Sequence, residues 1–306
     1  MKKSICVTAV AVLAASLVFA SGSKDSVSAT VTNTLNKAAF DQLVAAGPVA
    51  RDAEIEANSW AKAVKKAGVL RVGGTRTSFL FSQLDETDGK VRGFDAGLYQ
   101  LLARYILGDS NKYELTQVNS STREAVLQNG QVDAVFATYS ITDARKKLVS
   151  FAGPYFTSQS AILVKAGQTA IKGVDDLAGK IVATQAGSTG PATIAKYAPK
   201  ATVQEFKDDT EARTALQQGR VDAYVTDYTL LLNAIVRNPN TYEIAGAPFG
   251  TEDPYGIGVP LQSDGRAFVN QFLRTIESDG TWTKLWLITL GERTGIKTAP
   301  TFPAIQ

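Results

Sequence analysis

Residues 127–141 read LQNGQVDAVFATYSI and residues 216–230 read LQQGRVDAYVTDYTL, with leucine, glutamine, glycine, valine, aspartate, alanine and tyrosine matched in register. In each copy a helical stretch ends near a glycine and a β-rich run follows, which predicts a helix, turn and strand unit of a parallel sheet. A unit that occurs twice implies two similar lobes. Ligands of open parallel sheets bind beyond the carboxyl ends of the strands. The echo therefore points at Ala137-Thr138 in one lobe and Thr226-Asp227 in the other, as equivalent positions that face each other across a cleft.

Outward from the echo, residues 69–73 read as a strand ended by glycine, and a helix begins near Gly93-Phe94-Asp95. Phe94, Leu98, Leu101 or Leu102, and Tyr105 recur at spacings of three and four, one apolar stripe for packing on a sheet. Further strands are expected at 160–164 and 181–184, with a return strand at 256–260. The chain is expected to cross between lobes twice, near 157–163 and 246–252. The expected division is a first lobe of residues 67–158 plus 251–291, a second lobe of residues 159–250, and a Pro- and Thr-containing tail over 292–306. The fold class is α/β: two lobes, each a mainly parallel sheet flanked by helices, joined by a two-segment hinge.

Residues 1–20 run from Met1-Lys2-Lys3 into an apolar stretch between Val7 and Ala20, and the polar segment Ser21-Gly22-Ser23-Lys24 follows. That is the pattern of a signal peptide, and the apolar run is short of the about 20 residues of a membrane span. The mature chain is therefore expected outside the cytoplasm, in the periplasm, at the cell surface or secreted. Residues 21–66 are read as a tether followed by a helical extension without a motif. Within it, residues 33–46 and 54–67 carry mostly helix formers interrupted at Gly47-Pro48, which predicts two short helices packed loosely on the first lobe.

Removing Lys2 and Lys3 from the 32 basic residues leaves 30 against 29 acidic ones. Such a near-neutral chain points to neither nucleic acid nor an anionic membrane surface. The one cysteine, Cys6, falls within the signal segment, so no disulfide, thiol nucleophile or thiolate metal site is expected. Histidine is absent from the sequence, which removes the commonest general base and the commonest transition-metal ligand. No catalytic residue, metal or cofactor is expected, and the chain is read as a monomer.

The run VDAVFATYSITDARKKLVSFAGPYF at 132–156, with GFDAGL (93–98), DLAGKIV (176–182), AGST (186–189) and GRVDAYVTD (219–227), carries a specific likeness. In this order the segments resemble the family 3 extracellular solute-binding proteins, which serve polar amino-acid ABC importers. The likeness extends from about Val69 to about Leu290. It implies a periplasmic-binding-protein-like fold of type II, an amino-acid ligand and a membrane ABC permease as partner. Many such proteins carry a lipidated cysteine directly after the signal region, where Ser21 stands here.

By that resemblance Arg145, in the T-x-x-R segment, grips the substrate α-carboxylate. A guanidinium is a planar, permanently charged fork that matches a carboxylate bidentately. Taken alone, Arg145-Lys146-Lys147 reads as a solvated face. Thr138 and Ser140 would complete the carboxylate site, while Ala137 departs from the serine often found there. Asp227 matches the carboxylate that pairs with the substrate ammonium, and at a strand-to-helix junction it also reads as a helix N-cap. Ser188 and Thr189, after Gly187, would contact the ligand from the second lobe, where a helix N-terminus offers free N–H groups, or serve as plain caps.

The resemblance also bears on which amino acid. Acidic amino-acid binders of the family place one arginine just after the first strand and another in the first helix before the LQNG-type turn, and Arg76 and Arg123 occupy those positions. The plainer reading is an exposed residue pairing with a helix neighbour for Arg123 and a solvated loop arginine for Arg76. Ser120 would add a hydroxyl beside Arg123, and Phe81 or Phe79, with Tyr139, would wall the ligand's apolar stem or simply belong to the core. The expected ligand is glutamate or aspartate. Another polar amino acid such as glutamine, a dehydratase on the same scaffold and a sensory role are the alternatives.

Overall fold

The computed structural model describes residues 34–306, so the signal segment, Cys6 and the tether over 21–31 lie outside the described residues. Along the chain the strands are β1 (Leu70–Gly74), β2 (Thr77–Ser78), β3 (Ser82–Leu84), β4 (Val91–Arg92), β5 (Tyr113–Gln117), β6 (Ala134–Ser140), β7 (Ser150–Lys165), β8 (Ile181–Gln185), β9 (Thr202–Phe206), β10 (Ala223–Asp227), β11 (Tyr242–Ile244) and β12 (Phe249–Val259). The helices that matter here are α1 (Lys37–Ala46), α2 (Asp52–Glu56), α3 (Ser59–Ala67), α4 (Phe94–Leu107), α5 (Arg123–Gln128), α6 (Gly190–Tyr197), α7 (Asp209–Gln218), α8 (Tyr228–Arg237) and α9 (Gly265–Ser278).

The two echo segments fold alike. Helix α5 stops before Gly130 at φ 66° and strand β6 follows, while α7 stops at Gly219 with φ 73° and β10 follows. Both glycines take the left-handed conformation that commonly ends a helix. In the first lobe β1 lies between β5 and β6, parallel to both, with Leu70 opposite Tyr113 and Val72 opposite Ala134. In the second lobe β8 lies between β9 and β10, again parallel to both.

Two strands join the lobes. The first half of β7 pairs antiparallel with β12, from Ser150 opposite Val259 to Thr157 opposite Pro254, and its second half pairs with β10, Ala161 opposite Thr226. The sheet therefore runs in the order β5-β1-β6-β12-β7-β10-β8-β9, with β11 alongside β7. Helix α4 buries Leu98, Leu101, Leu102 and Tyr105 as expected, but burial is not confined to one stripe: Asp95, Tyr99, Gln100 and Ile106 are buried too, because the helix lies between the sheet and the helices α1, α3 and α9. Its glycine Gly97 sits against Leu285, where an added Cβ would come within 2.3 Å of the leucine side chain.

The N-terminal extension departs from expectation. It forms three helices, because the Asn58 side chain accepts the Ala61 N–H at 2.9 Å and starts α3 separately from α2. Nor is it loosely packed: Phe40, Val44, Ile55, Trp60 and Val64 are buried in the same core as α4 and α9. Each large apolar side chain buried in this way contributes about 1.5–3 kcal/mol. Asp264, just before α9, accepts the Ser59 and Trp60 N–H groups at 2.6 and 3.0 Å, and buried Arg92 pairs with Asp41 of α1 at 2.8 Å. The C-terminal segment is likewise attached, Phe302 meeting Trp282 with ring centroids 5.1 Å apart.

Candidate functional site

A cavity of about 350 Å³ lies between the lobes, at the low end of the about 300–1,000 Å³ of small-molecule sites. Ala137 and Thr138 line it from one side and Thr226 and Asp227 from the other, so the equivalent ends of β6 and β10 do meet there. Ser120, Arg123 and Ser140 also line it from the first lobe, and Ser188 and Thr189 from the second. Among the described residues no aromatic side chain lines it.

Thr138 has φ 43°, a left-handed conformation uncommon for a β-branched residue. It is held by Asp95, whose carboxylate accepts the Thr138 N–H at 2.9 Å and the Tyr155 hydroxyl at 2.7 Å. Burial pushes the Asp95 carboxyl up to about 6 against the pull of those two bonds. Backbone strain sustained by a buried partner is typical of functional positions.

Arg123 opens α5 and is almost wholly buried. Its guanidinium lies 4.1 Å over the Tyr139 ring, and Nη1 donates to the Ala137 carbonyl at 3.0 Å. Nε has no hydrogen-bond partner. Burial, and then the Arg145 charge, lower its pKa to about 10 against the opposing pull of Glu124, whose carboxylate lies 3.8 Å from Nε. Opposite, Asp227 is buried and accepts the Tyr255 hydroxyl at 2.6 Å, and it makes no side-chain cap to α8. Burial, and next the neighbouring charge of Asp253, push its carboxyl up to about 7.

Five residues singled out in the sequence do not line the cavity. Arg76 donates to the Leu115 carbonyl at 2.7 Å; in this extended stretch its neighbours Thr75 and Thr77 face the cavity and Arg76 faces away. Phe81 is fully buried among Phe94, Phe156 and Tyr255, and Phe79 lies under the Arg293 guanidinium at 3.9 Å. Tyr139 is core: its ring supports Arg123 and its hydroxyl donates to Glu124 at 2.7 Å. Arg145 donates to the Ser140 carbonyl and, across the cleft, to the Gly187 carbonyl, both at 2.9 Å, with Nε 3.5 Å from Glu124.

The sequence reading missed Asp95, Glu124 and Asp253. Asp95 sits in GFDAGL, where it was read only as a helix start. Asp253 accepts the Ser140 and Thr189 hydroxyls at 3.0 and 3.3 Å. It belongs to β12, whose start at Phe249 falls ahead of the return strand expected at 256–260. Asn233 of α8 accepts the Leu80 N–H at 2.8 Å, a further contact between the lobes. Among the described residues no group of three or more acidic, histidine or cysteine side chains is placed to hold a metal, and no helix is long and apolar enough to cross a membrane.

The chain matches the family model of the bacterial extracellular solute-binding proteins, family 3, over residues 70–287. It is 38% identical over 226 residues to the ABC transporter glutamine-binding protein GlnH of Bacillus subtilis, covering 73% of this chain and 82% of that protein. It is 31% identical over 220 residues to the glutamate-binding protein GluB of Corynebacterium glutamicum, covering 68% of this chain and 74% of that protein. Among solved structures, a solute receptor for L-cysteine of Neisseria gonorrhoeae superposes with a TM-score of 0.74 at 27% identity, over 78% of this chain and 97% of the receptor.

Proposed function

The chain belongs to the family 3 bacterial extracellular solute-binding proteins, and from that premise we propose that it captures an acidic amino acid, glutamate or aspartate, and hands it to an ABC permease. Binding of an amino acid for ABC uptake follows from the family and its relatives; the acidic side chain is our reading of the site. The observation that carries it is Arg123: a buried cavity-lining cation whose Nε makes no hydrogen bond and is 3.8 Å from Glu124, facing Asp227 across the cleft. A zwitterion with a second carboxylate supplies partners to both. The α-ammonium meets Asp227, the side-chain carboxylate meets Arg123, and the α-carboxylate is received by the Ser140 and Thr189 hydroxyls that line the cavity. Each charge-assisted bond of this kind contributes about 1.5–3 kcal/mol.

Capture proceeds by closure. A ligand that joins groups of both lobes binds the closed form better and shifts the population toward it. The residues that flex are those of β7 and β12 between the lobes, and the proposed lobes are residues 67–158 with 251–291, and 159–250.

Glutamine is the second reading. The glutamine-binding relative is the more similar of the two named above, and the cavity also offers Gln117, Asn119 and Ser120, which suit a neutral amide. A thermal-shift screen against the common amino acids tests both, since a ligand raises the melting temperature in proportion to the logarithm of its concentration over Kd. The largest shift is expected with glutamate or aspartate; a larger one with glutamine, or none with any amino acid, rejects the proposal.

A further inference from the structure

Ser140 comes from the end of β6 in the first lobe and Thr189 from the entry to α6 in the second, and the two hydroxyls have no reason of their own to converge. They do so on one atom. Asp253 Oδ2 accepts Ser140 Oγ at 3.0 Å and Thr189 Oγ1 at 3.3 Å, and the Arg145 guanidinium close by reaches over to the Gly187 carbonyl of the second lobe. Asp253 itself sits on β12, opposite Ser158 of β7, in the stretch where both strands pass between the lobes.

Two hydroxyls in the field of the Arg145 charge make a carboxylate seat, and the carboxylate in it belongs to the protein. We infer that Asp253 is a resident occupant of the α-carboxylate seat: it fastens the two lobes to one another, and an incoming amino acid binds in exchange for it. The inference rests on the reading of the site as an amino-acid cleft. It goes further in assigning the strand between the lobes an active part. A carboxylate attached to that strand cannot leave the protein, but a small opening of the lobes withdraws it from one or both hydroxyls, so closure with and without a ligand compete for the same donors.

Energetically, a contact that stabilises a closed form without ligand lowers the apparent affinity for the ligand, because the ligand must replace it. Asp253 also stands beside buried Asp227, whose carboxyl is pushed up in part by the Asp253 charge. An amino acid that displaces Asp253 toward solvent relieves that repulsion as its ammonium arrives.

The test compares wild type with Asp253→Ala and Asp253→Asn in two measurements: glutamate affinity by calorimetry, and the radius of gyration by small-angle X-ray scattering with no amino acid added. The expected result is about tenfold or more tighter binding for Asp253→Ala, a smaller gain for Asp253→Asn, and a larger radius of gyration for both without ligand. Weaker binding in both variants would make Asp253 a ligand contact and overturn the inference. Unchanged affinity with an unchanged radius would make it a bystander, which overturns it as well. Should wild type and variants alike bind no amino acid, the proposed function fails, and the scattering comparison still decides whether Asp253 fastens the lobes.

Discussion

Arg145 and Gly187 meet across the cleft, the Nη2 of the arginine donating to the glycine carbonyl at 2.9 Å. Gly187 has φ 71°, and an added Cβ would fall 2.8 Å from the Ser120 carbonyl oxygen and 2.9 Å from Ser121 Cα in the opposite lobe. The lobes can approach this closely only because this position has no side chain. Gly187→Ala is therefore expected to hold the cleft partly open and weaken amino-acid binding by about tenfold or more, with a stability loss of only about 1 kcal/mol from the backbone conformation. Calorimetry and scattering read the first effect, and denaturant unfolding the second.

Asp227 should favour binding at the expense of stability. Its carboxyl is raised from 3.8 to about 7, so the folded protein holds a proton there that the unfolded chain releases earlier. The contribution to stability is favourable below 3.8, declines as pH rises, and is a full penalty above about 7. Asp227→Asn is expected to abolish amino-acid binding and, without ligand, to raise the melting temperature at pH 8 relative to wild type while leaving it nearly unchanged at pH 4. A fall in melting temperature at pH 8 would contradict this.

Binding itself should depend on pH through the same group. An ammonium ligand needs the ionised carboxylate, so affinity is expected to weaken as pH falls below about 7, approaching a tenfold loss per unit. Glutamate keeps its own side-chain charge down to about 4.3, so the ligand is not the source of that slope. Titrations between pH 8 and pH 5 check it.

On the proposed reading, Arg123 sets the preference for an acidic side chain. Arg123→Gln is expected to weaken glutamate and aspartate by about a hundredfold, the loss of one to two charge-assisted bonds, and to leave glutamine within about threefold. Competition of unlabelled amino acids against a bound radiolabelled one measures the ratio. Equal losses for glutamate and glutamine would place Arg123 outside side-chain recognition.

The helical extension is expected to act on stability alone. Trp60 is buried against Phe268, and its indole N–H donates to the Asp133 carbonyl at 3.2 Å. Trp60→Ala should cost about 3–5 kcal/mol in denaturant unfolding with no change in ligand affinity, since nothing in α1 to α3 reaches the cavity.

What the sequence disclosed follows from local rules. The echo is visible because turn glycines and alternating apolar residues repeat at matching offsets, and these dictate helix, turn and strand without reference to the rest of the chain. It led to Thr138 and Asp227. Long side chains were less legible. Arg76 turns away because residues of an extended stretch alternate sides, and one residue of uncertainty in the loop reverses the answer. The direction of Arg145 depends on carbonyls of Ser140 and Gly187, the second of which is distant in sequence. Phe40 and Trp60 look like any residues of short helices until α4 and α9 are set beside them. Asp253 escaped notice because the strand that carries it begins several residues before its apolar pattern does.

The central claim is that a second carboxylate on the ligand is recognised, and calorimetric titration of the protein with glutamate, aspartate and glutamine at pH 8 tests it most directly. At least about tenfold tighter binding of glutamate or aspartate than of glutamine is the expected result. Tighter binding of glutamine than of either acid would contradict it.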